Sequence, residues 1–139
     1  MAKKNQNNVT NLGVCHVIRS KEEMKALFEK QLEKGKDIYN KFPGDITIRD
    51  AYGRVAFNDQ TSHDFYKEYH AWSSFCEEIY SSSFDDPNTK YLKDFKDAGQ
   101  VIGIFGNAND LYQQSKRNLL RQIEEIESFI ERLDIIIYP

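Results

Sequence analysis

The stretch Asn109–Ile137, NDLYQQSKRNLLRQIEEIESFIERLDIII, decides how the rest of the chain is read. Leu119, Ile123, Ile126, Ile130, Leu133 and Ile137 recur at intervals of 4, 3, 4, 3 and 4, and Tyr112 and Lys116 carry the same register backward. Residues three and four apart lie on one side of an α-helix, so this spacing predicts one long amphipathic helix capped at Asn107 or Asn109. Leu120, Phe129, Ile135 and Ile136 give it a second apolar side, expected to serve as an interface to a protein partner. The stripe covers fewer than three full heptads. It is therefore expected to pack inside the chain's own bundle, against Met24–Tyr39 and Phe65–Tyr80, before serving any coiled coil.

Working outward from that helix, three more helical patterns appear. Ser20 and Glu23 form a capping box ahead of Met24, Leu27, Phe28, Leu32, Ile38, Tyr39 and Phe42, which predicts a helix over Lys21–Lys41 ended by Pro43-Gly44. Gly35 weakens its interior. A second helix is expected from a cap at Thr61 or Ser62 to about Tyr80, with Phe65, Tyr66, Tyr69, Trp72, Phe75, Cys76, Ile79 and Tyr80 facing the core. The serine run 81–83 closes it. A short third helix follows Asn88 or Thr89, with Tyr91, Leu92, Phe95 and Ala98 inward and Gly99 as its cap. Val14–Ile18 reads as a brief strand or a hydrophobic staple. In Asp45–Asp59, Ile46 and Ile48, then Val55 and Phe57, alternate with other residues, which suits either a small β-hairpin or an irregular insert. The fold class is mainly α: a compact bundle of three long helices and one short one, as a single domain over 14–139 behind a polar, disordered tail at 1–13.

Composition limits the functions open to such a chain. It has 139 residues, 40% hydrophobic and 13% aromatic, enough bulky material for one packed core. The net charge of −3 comes from 22 acidic and 19 basic residues in mixture, without the basic surplus that phosphate contacts demand. Lys116, Arg117 and Arg121 read as solvated helix surface, so no nucleic-acid partner is expected. Behind Lys3 and Lys4 no apolar run follows, and no segment is long and apolar enough for a membrane span, so a cytoplasmic protein with Cys15 and Cys76 reduced is expected.

The chemistry-bearing residues do not assemble into a known motif. His63 and His70 are two helical turns apart, about 10.5 Å of rise, too far to share one metal ion. An RNA-cleaving site of the HEPN type needs an Arg shortly before a His; Arg54 is too far from His63, and no His follows the C-terminal arginines. Gly103, Gly106 and Asn107 before a helix suit an anion-binding turn, with Arg117 or Arg121 as charge partner, although the spacing is neither that of a P-loop nor of a dinucleotide fingerprint. Cys15 beside His16 has no poised base, and Cys76 falls in the aromatic stripe. No cofactor, metal or catalytic residue is expected.

The helix HAWSSFCEEIYSSSF, the segment TKYLKDFKDAG and the terminal SKRNLLRQIEEIESFIERLDII, with KEEMKALFEKQLEKGKDIYNKF before them, share a texture. Together they resemble the helical region that precedes TIR-like, predicted nucleotide-binding effector domains of bacterial proteins, antiphage defence systems included. The resemblance spans roughly residues 20–137, apart from the DITIRDAYGRVAF insert and the VIGIFG loop. It implies a non-enzymatic scaffold, oligomerisation or regulatory module, with any enzymatic work in another domain. Two further readings stand beside it: a small nucleotide- or anion-binding protein using the 103–107 turn, and a hydrolase or nuclease using His63 or His70.

Overall fold

A computed structural model describes residues 16–86, 88–101, 103 and 106–136. The expected tail at 1–13, Cys15, half of the VIGIFG loop (Ile102, Ile104 and Phe105) and Ile137 lie outside these. In chain order the elements are α1 (Lys21–Lys41), β1 (Thr47–Arg49), β2 (Val55–Phe57), α2 (Asp59–Ser83), α3 (Lys90–Ala98) and α4 (Ala108–Glu131). A 3₁₀ turn, Arg132–Asp134, follows α4. The mainly-α bundle of three long helices and one short one is what the sequence predicts, and of the two readings of 45–59 the hairpin is the one that forms.

The helix starts obey local capping chemistry. In α1, Ser20 Oγ accepts the Glu23 amide at 3.1 Å and Glu23 accepts the Ser20 amide at 3.3 Å, completing the capping box. The cap of α2 is Asn58, not Thr61 or Ser62; its side chain accepts the Thr61 amide at 3.1 Å, which adds a turn at the front. The serine run does not end α2 either. Ser83 stays helical by donating its hydroxyl to Ile79 O at 2.5 Å, and the helix stops at Phe84. Thr89 caps α3, and Asn107 caps α4. The last α-helix ends at Glu131 rather than running on to Ile137.

The 45–59 segment is a hairpin in the register Thr47↔Phe57, Ile48↔Ala56, Arg49↔Val55. Asp50 organises its turn by accepting the Tyr52 and Arg54 amides at 2.8 and 2.9 Å, and Gly53 supplies the positive φ of 78° that follows. The Val14–Ile18 reading resolves, within the described residues, as an antiparallel bridge of Val17 to Phe84.

The nearest backbone neighbours of α4 are α1 and α3, and α2 approaches the same two. Across the middle, α2 and α4 meet through aromatic rings. Phe28, Tyr80 and Phe129 pack with centroids 4.6 to 5.2 Å apart, and Phe65 meets Tyr112 at 5.1 Å. Edge-on and tilted pairs of this kind add to the burial of large apolar area. The bundle closes at its α4 end where Lys21 pairs with Asp134.

Gly35, read as a weak point, is where the Trp72 indole of α2 packs directly on the backbone of α1. A Cβ there would lie 2.6 Å from Trp72 Cζ2 and 3.1 Å from Ile123 Cγ1. The indole cannot retreat freely, because its Nε1 donates to Gln31 O at 2.9 Å. We therefore expect Gly35→Ala to lower stability by about 1–2 kcal/mol in urea unfolding followed by circular dichroism, overpacking outweighing the helix-propensity gain of about 1 kcal/mol. A stabilised Gly35→Ala protein would show that α1 does not pack on Trp72 in this way.

Candidate functional site

The residues expected to form an anion-binding turn are not brought together. Gly103, with a φ of 104°, and Gly106 are exposed in the loop before α4. Asn107 spends its side-chain oxygen on the Asp110 amide at 2.9 Å. The Asp110 carboxylate lies 3.3 Å from where a Gly106 Cβ would stand, so a fixed negative charge already occupies the helix N-terminus. Arg117 is ten residues into the helix, about 15 Å along its axis, and donates to Gln114 at 3.1 Å.

The expected interface side of α4 divides in the same plain way. Leu120 and Ile135 are exposed, Ile135 at 78%, and Ile136 packs part-buried on the core. Phe129 is a correction: only 2% exposed, it sits among Phe28, Tyr80, Phe84 and Tyr91 at the centre of the aromatic cluster. The α-helical twist between 120 and 129 carries Phe129 back to the buried side. Phe75, placed inward by the sequence pattern, is the opposite correction, standing 46% exposed.

His63 and His70 are exposed on α2, and His70 stacks on Tyr66 and Tyr69 at 5.8 and 5.4 Å. Among the described residues no three His, Cys, Asp or Glu side chains are grouped to hold a metal ion. Cys76 is fully buried; burial, aided by the charge of Glu77, pushes its thiol up to about 12.

What the sequence pattern missed is a set of buried polar side chains along α4. Lys116, read as solvated, is 7% exposed. Its ammonium donates to Tyr39 O at 2.7 Å and to Phe42 O, and lies 4.5 Å over the Tyr39 ring. Burial draws its pKa below the ordinary lysine range. One turn earlier, Tyr112 Oη donates to Pro43 O at 2.6 Å, and Asn109 Oδ1 accepts the Ile46 amide at 3.0 Å. Further along, Asn118 donates to Gln100 O at 3.2 Å, and Gln122 donates to Phe95 O at 3.1 Å while accepting the Tyr69 hydroxyl at 2.8 Å. The only sequence signal for these was the backward extension of the heptad register through Tyr112 and Lys116.

That network fixes α2 so that its two flanks border open space. On one side, against α1, lies a groove of about 500 Å³ lined by Ile38, Ala71, Trp72 and Phe75, with Lys34, Asp37 and Glu68 along it. On the other side, between α2, α3 and α4, lies a cavity of about 330 Å³ with a mixed aromatic and polar wall. No helix among the described residues is long and apolar enough to cross a membrane.

Two outcomes check this picture. Lys116→Met should cost about 1–3 kcal/mol of unfolding free energy, because it leaves the carbonyls of Tyr39 and Phe42 buried without a donor. A neutral effect would mean that Lys116 is solvated. Thiol reagents act on the thiolate, so in a Cys15→Ser background Cys76 should react with a disulfide probe at pH 8 only as fast as the chain opens, and immediately in denaturant. Rapid labelling of the folded protein would contradict the burial of Cys76.

No protein-family profile matches the chain, and neither a curated protein nor a solved structure matches it.

Proposed function

We propose that this chain is a non-enzymatic helical interaction module that pairs with a second copy of itself through the α1–α2 groove. The observation that carries the reading is Phe75, a large apolar side chain standing 46% exposed beside an apolar hollow of about 500 Å³. A protruding aromatic next to a pocket of matching character is what a two-fold interface uses, since each copy offers both the knob and the hole. The charges suit the same symmetry. Lys34 and Asp37 line the groove, and neither has an ion-pair partner among the described residues. Across a two-fold axis, Lys34 of one copy faces Asp37 of the other. The 21 and 25 residues of α1 and α2 give faces of about 31 and 37 Å, long enough for an interface of standard size, ~800 Å² on each partner.

This moves the interface from the α4 side expected from sequence, where Phe129 is committed to the core, to the groove between α1 and α2. On the resemblance of residues 20–137 to the helical region ahead of TIR-like effector domains, the module would set the association of such a domain in a bacterial, cytoplasmic defence-type system. The anion-binding reading is weakened by Asp110 at the helix N-terminus and by the distance to Arg117. The hydrolase or nuclease reading is weakened by the stacking of His70 on its own helix neighbours.

The test is light scattering coupled to size exclusion over a range of concentrations. The native chain should pass from monomer to dimer, while Phe75→Glu, exposed and therefore free to fold, should stay monomeric with an unchanged melting temperature. Lys34→Glu should weaken the dimer, and adding Asp37→Lys in the same chain should restore it. A native protein that is monomeric at every concentration up to about 1 mM sinks the proposal.

A further inference from the structure

The groove uses one flank of α2; the cavity on the other flank has a different character. Tyr66, Tyr69, His70, Ser73 and Glu77 line it from one face of α2 over twelve residues, about 16 Å of helix from first to last. It is therefore elongated, and its two ends differ. At the Tyr66 end stand stacked rings, with Leu111 and Val101 exposed at the rim. Glu77 from α2 and Lys96 from α3 line the same space. Neither makes an ion pair with the other, or with any described residue.

Opposite charges held apart in one half-enclosed site, with an aromatic wall beside them, are complementary to a small zwitterion bearing a ring. We propose that this cavity binds a free aromatic amino acid: the ring lies against Tyr66 and His70, the α-ammonium goes to Glu77 and the α-carboxylate to Lys96. The floor supplies the remaining contact. Ser73 Oγ accepts Gln122 Nε2 at 3.4 Å and keeps its own hydrogen to donate to a ligand carboxylate. Gln122 is held by Phe95 O and the Tyr69 hydroxyl, so this floor is preorganised rather than assembled on binding. The volume of about 330 Å³ is near the lower bound for small-molecule sites, which suits a single amino acid better than a nucleotide. Glu77 would also repel a phosphate, and Lys96 alone would face it.

Calorimetric titration of the full chain with L-phenylalanine, L-tyrosine and L-tryptophan tests this, together with the N-acetyl and amide derivatives of phenylalanine. Saturable binding of the free amino acids is expected. Each derivative should bind at least about tenfold more weakly, since each removes one charge-assisted contact. Glu77→Gln and Lys96→Gln are surface changes that leave the melting temperature in place and should weaken phenylalanine about as much. Proton resonances of the His70 ring should move on titration. Phe75→Glu, on the far flank, should bind normally, so failure of the dimer and failure of this site are separate results. No binding of any of the three up to about 10 mM overturns the proposal. Binding that the derivatives share equally overturns it too, because a peptide end or a neutral ring would then suffice.

Discussion

The structure depends on how the C-terminal ends of α1 and α3 are satisfied. An α-helix leaves its last carbonyls without intrahelical donors, and in a small bundle those ends lie against neighbouring helices rather than in bulk water. Here one helix answers for both. Lys116 and Tyr112 take the carbonyls of Tyr39, Phe42 and Pro43 at the end of α1. Gln122 and Asn118 take those of Phe95 and Gln100 at the end of α3. Because these donors sit at fixed positions on α4, they set how far each neighbour can slide along it, which apolar contacts alone leave loosely determined. No buried side-chain nitrogen or oxygen among the described residues is left without a partner.

This arrangement explains why α4 can be so apolar and yet so polar in its buried side. The heptad positions Leu119, Ile123 and Ile126 supply burial, while Asn118 and Gln122, one position before two of them, supply direction. A single amphipathic stripe contains no instruction about which polar neighbour turns inward. The choice is made by the partners: a carbonyl end at the right height captures the side chain that reaches it. Lys116 shows the balance of effects. Desolvation of its ammonium opposes burial, and two carbonyls and the Tyr39 ring offset it.

The same reasoning separates what was legible in the sequence from what was not. Local rules read well: the Ser20–Glu23 box, the Thr89 and Asn107 caps, the Pro43-Gly44 stop and the register from Tyr112 to Leu133 all depend on residues within a few positions of one another. Errors arose where a distant contact decides. The Asn58 cap was passed over for Thr61 or Ser62 because all three carry capping side chains within five residues, and the hairpin, whose Ile46 O accepts the Asn58 amide, selects among them. Phe75 and Phe129 were each placed on the wrong side because α2 and α4, on which they sit, are both wide in apolar character, and only the neighbours' positions say which edge is covered. Gly35 was read as a propensity defect when it is the space that admits Trp72. The turn at 103–107 looked like a site because glycines before a helix satisfy a local template; Asp110 and the distance to Arg117 become visible only with the helix built.

Both proposed sites follow from α2 being pinned on its inner side and left open on its two flanks. Trp72 is anchored through Gln31 O, and Tyr69 through Gln122, so the residues between and beyond them are displayed on a rigid element rather than a loop. One flank then shows Ala71 and Phe75, small and large apolar side chains next to α1, with Lys34 and Asp37 placed to pair across a two-fold axis, which favours a second copy of the chain. The other flank shows Ser73 and Glu77 opposite Lys96, groups that a flat apolar partner would leave unsatisfied at a cost of about 1–3 kcal/mol each. A small charged ligand can satisfy them where a second copy of the chain cannot. The two flanks of one helix are thus suited to two different partners, and occupation of the cavity between α2, α3 and α4 would stiffen the same helix that carries Phe75 to the groove.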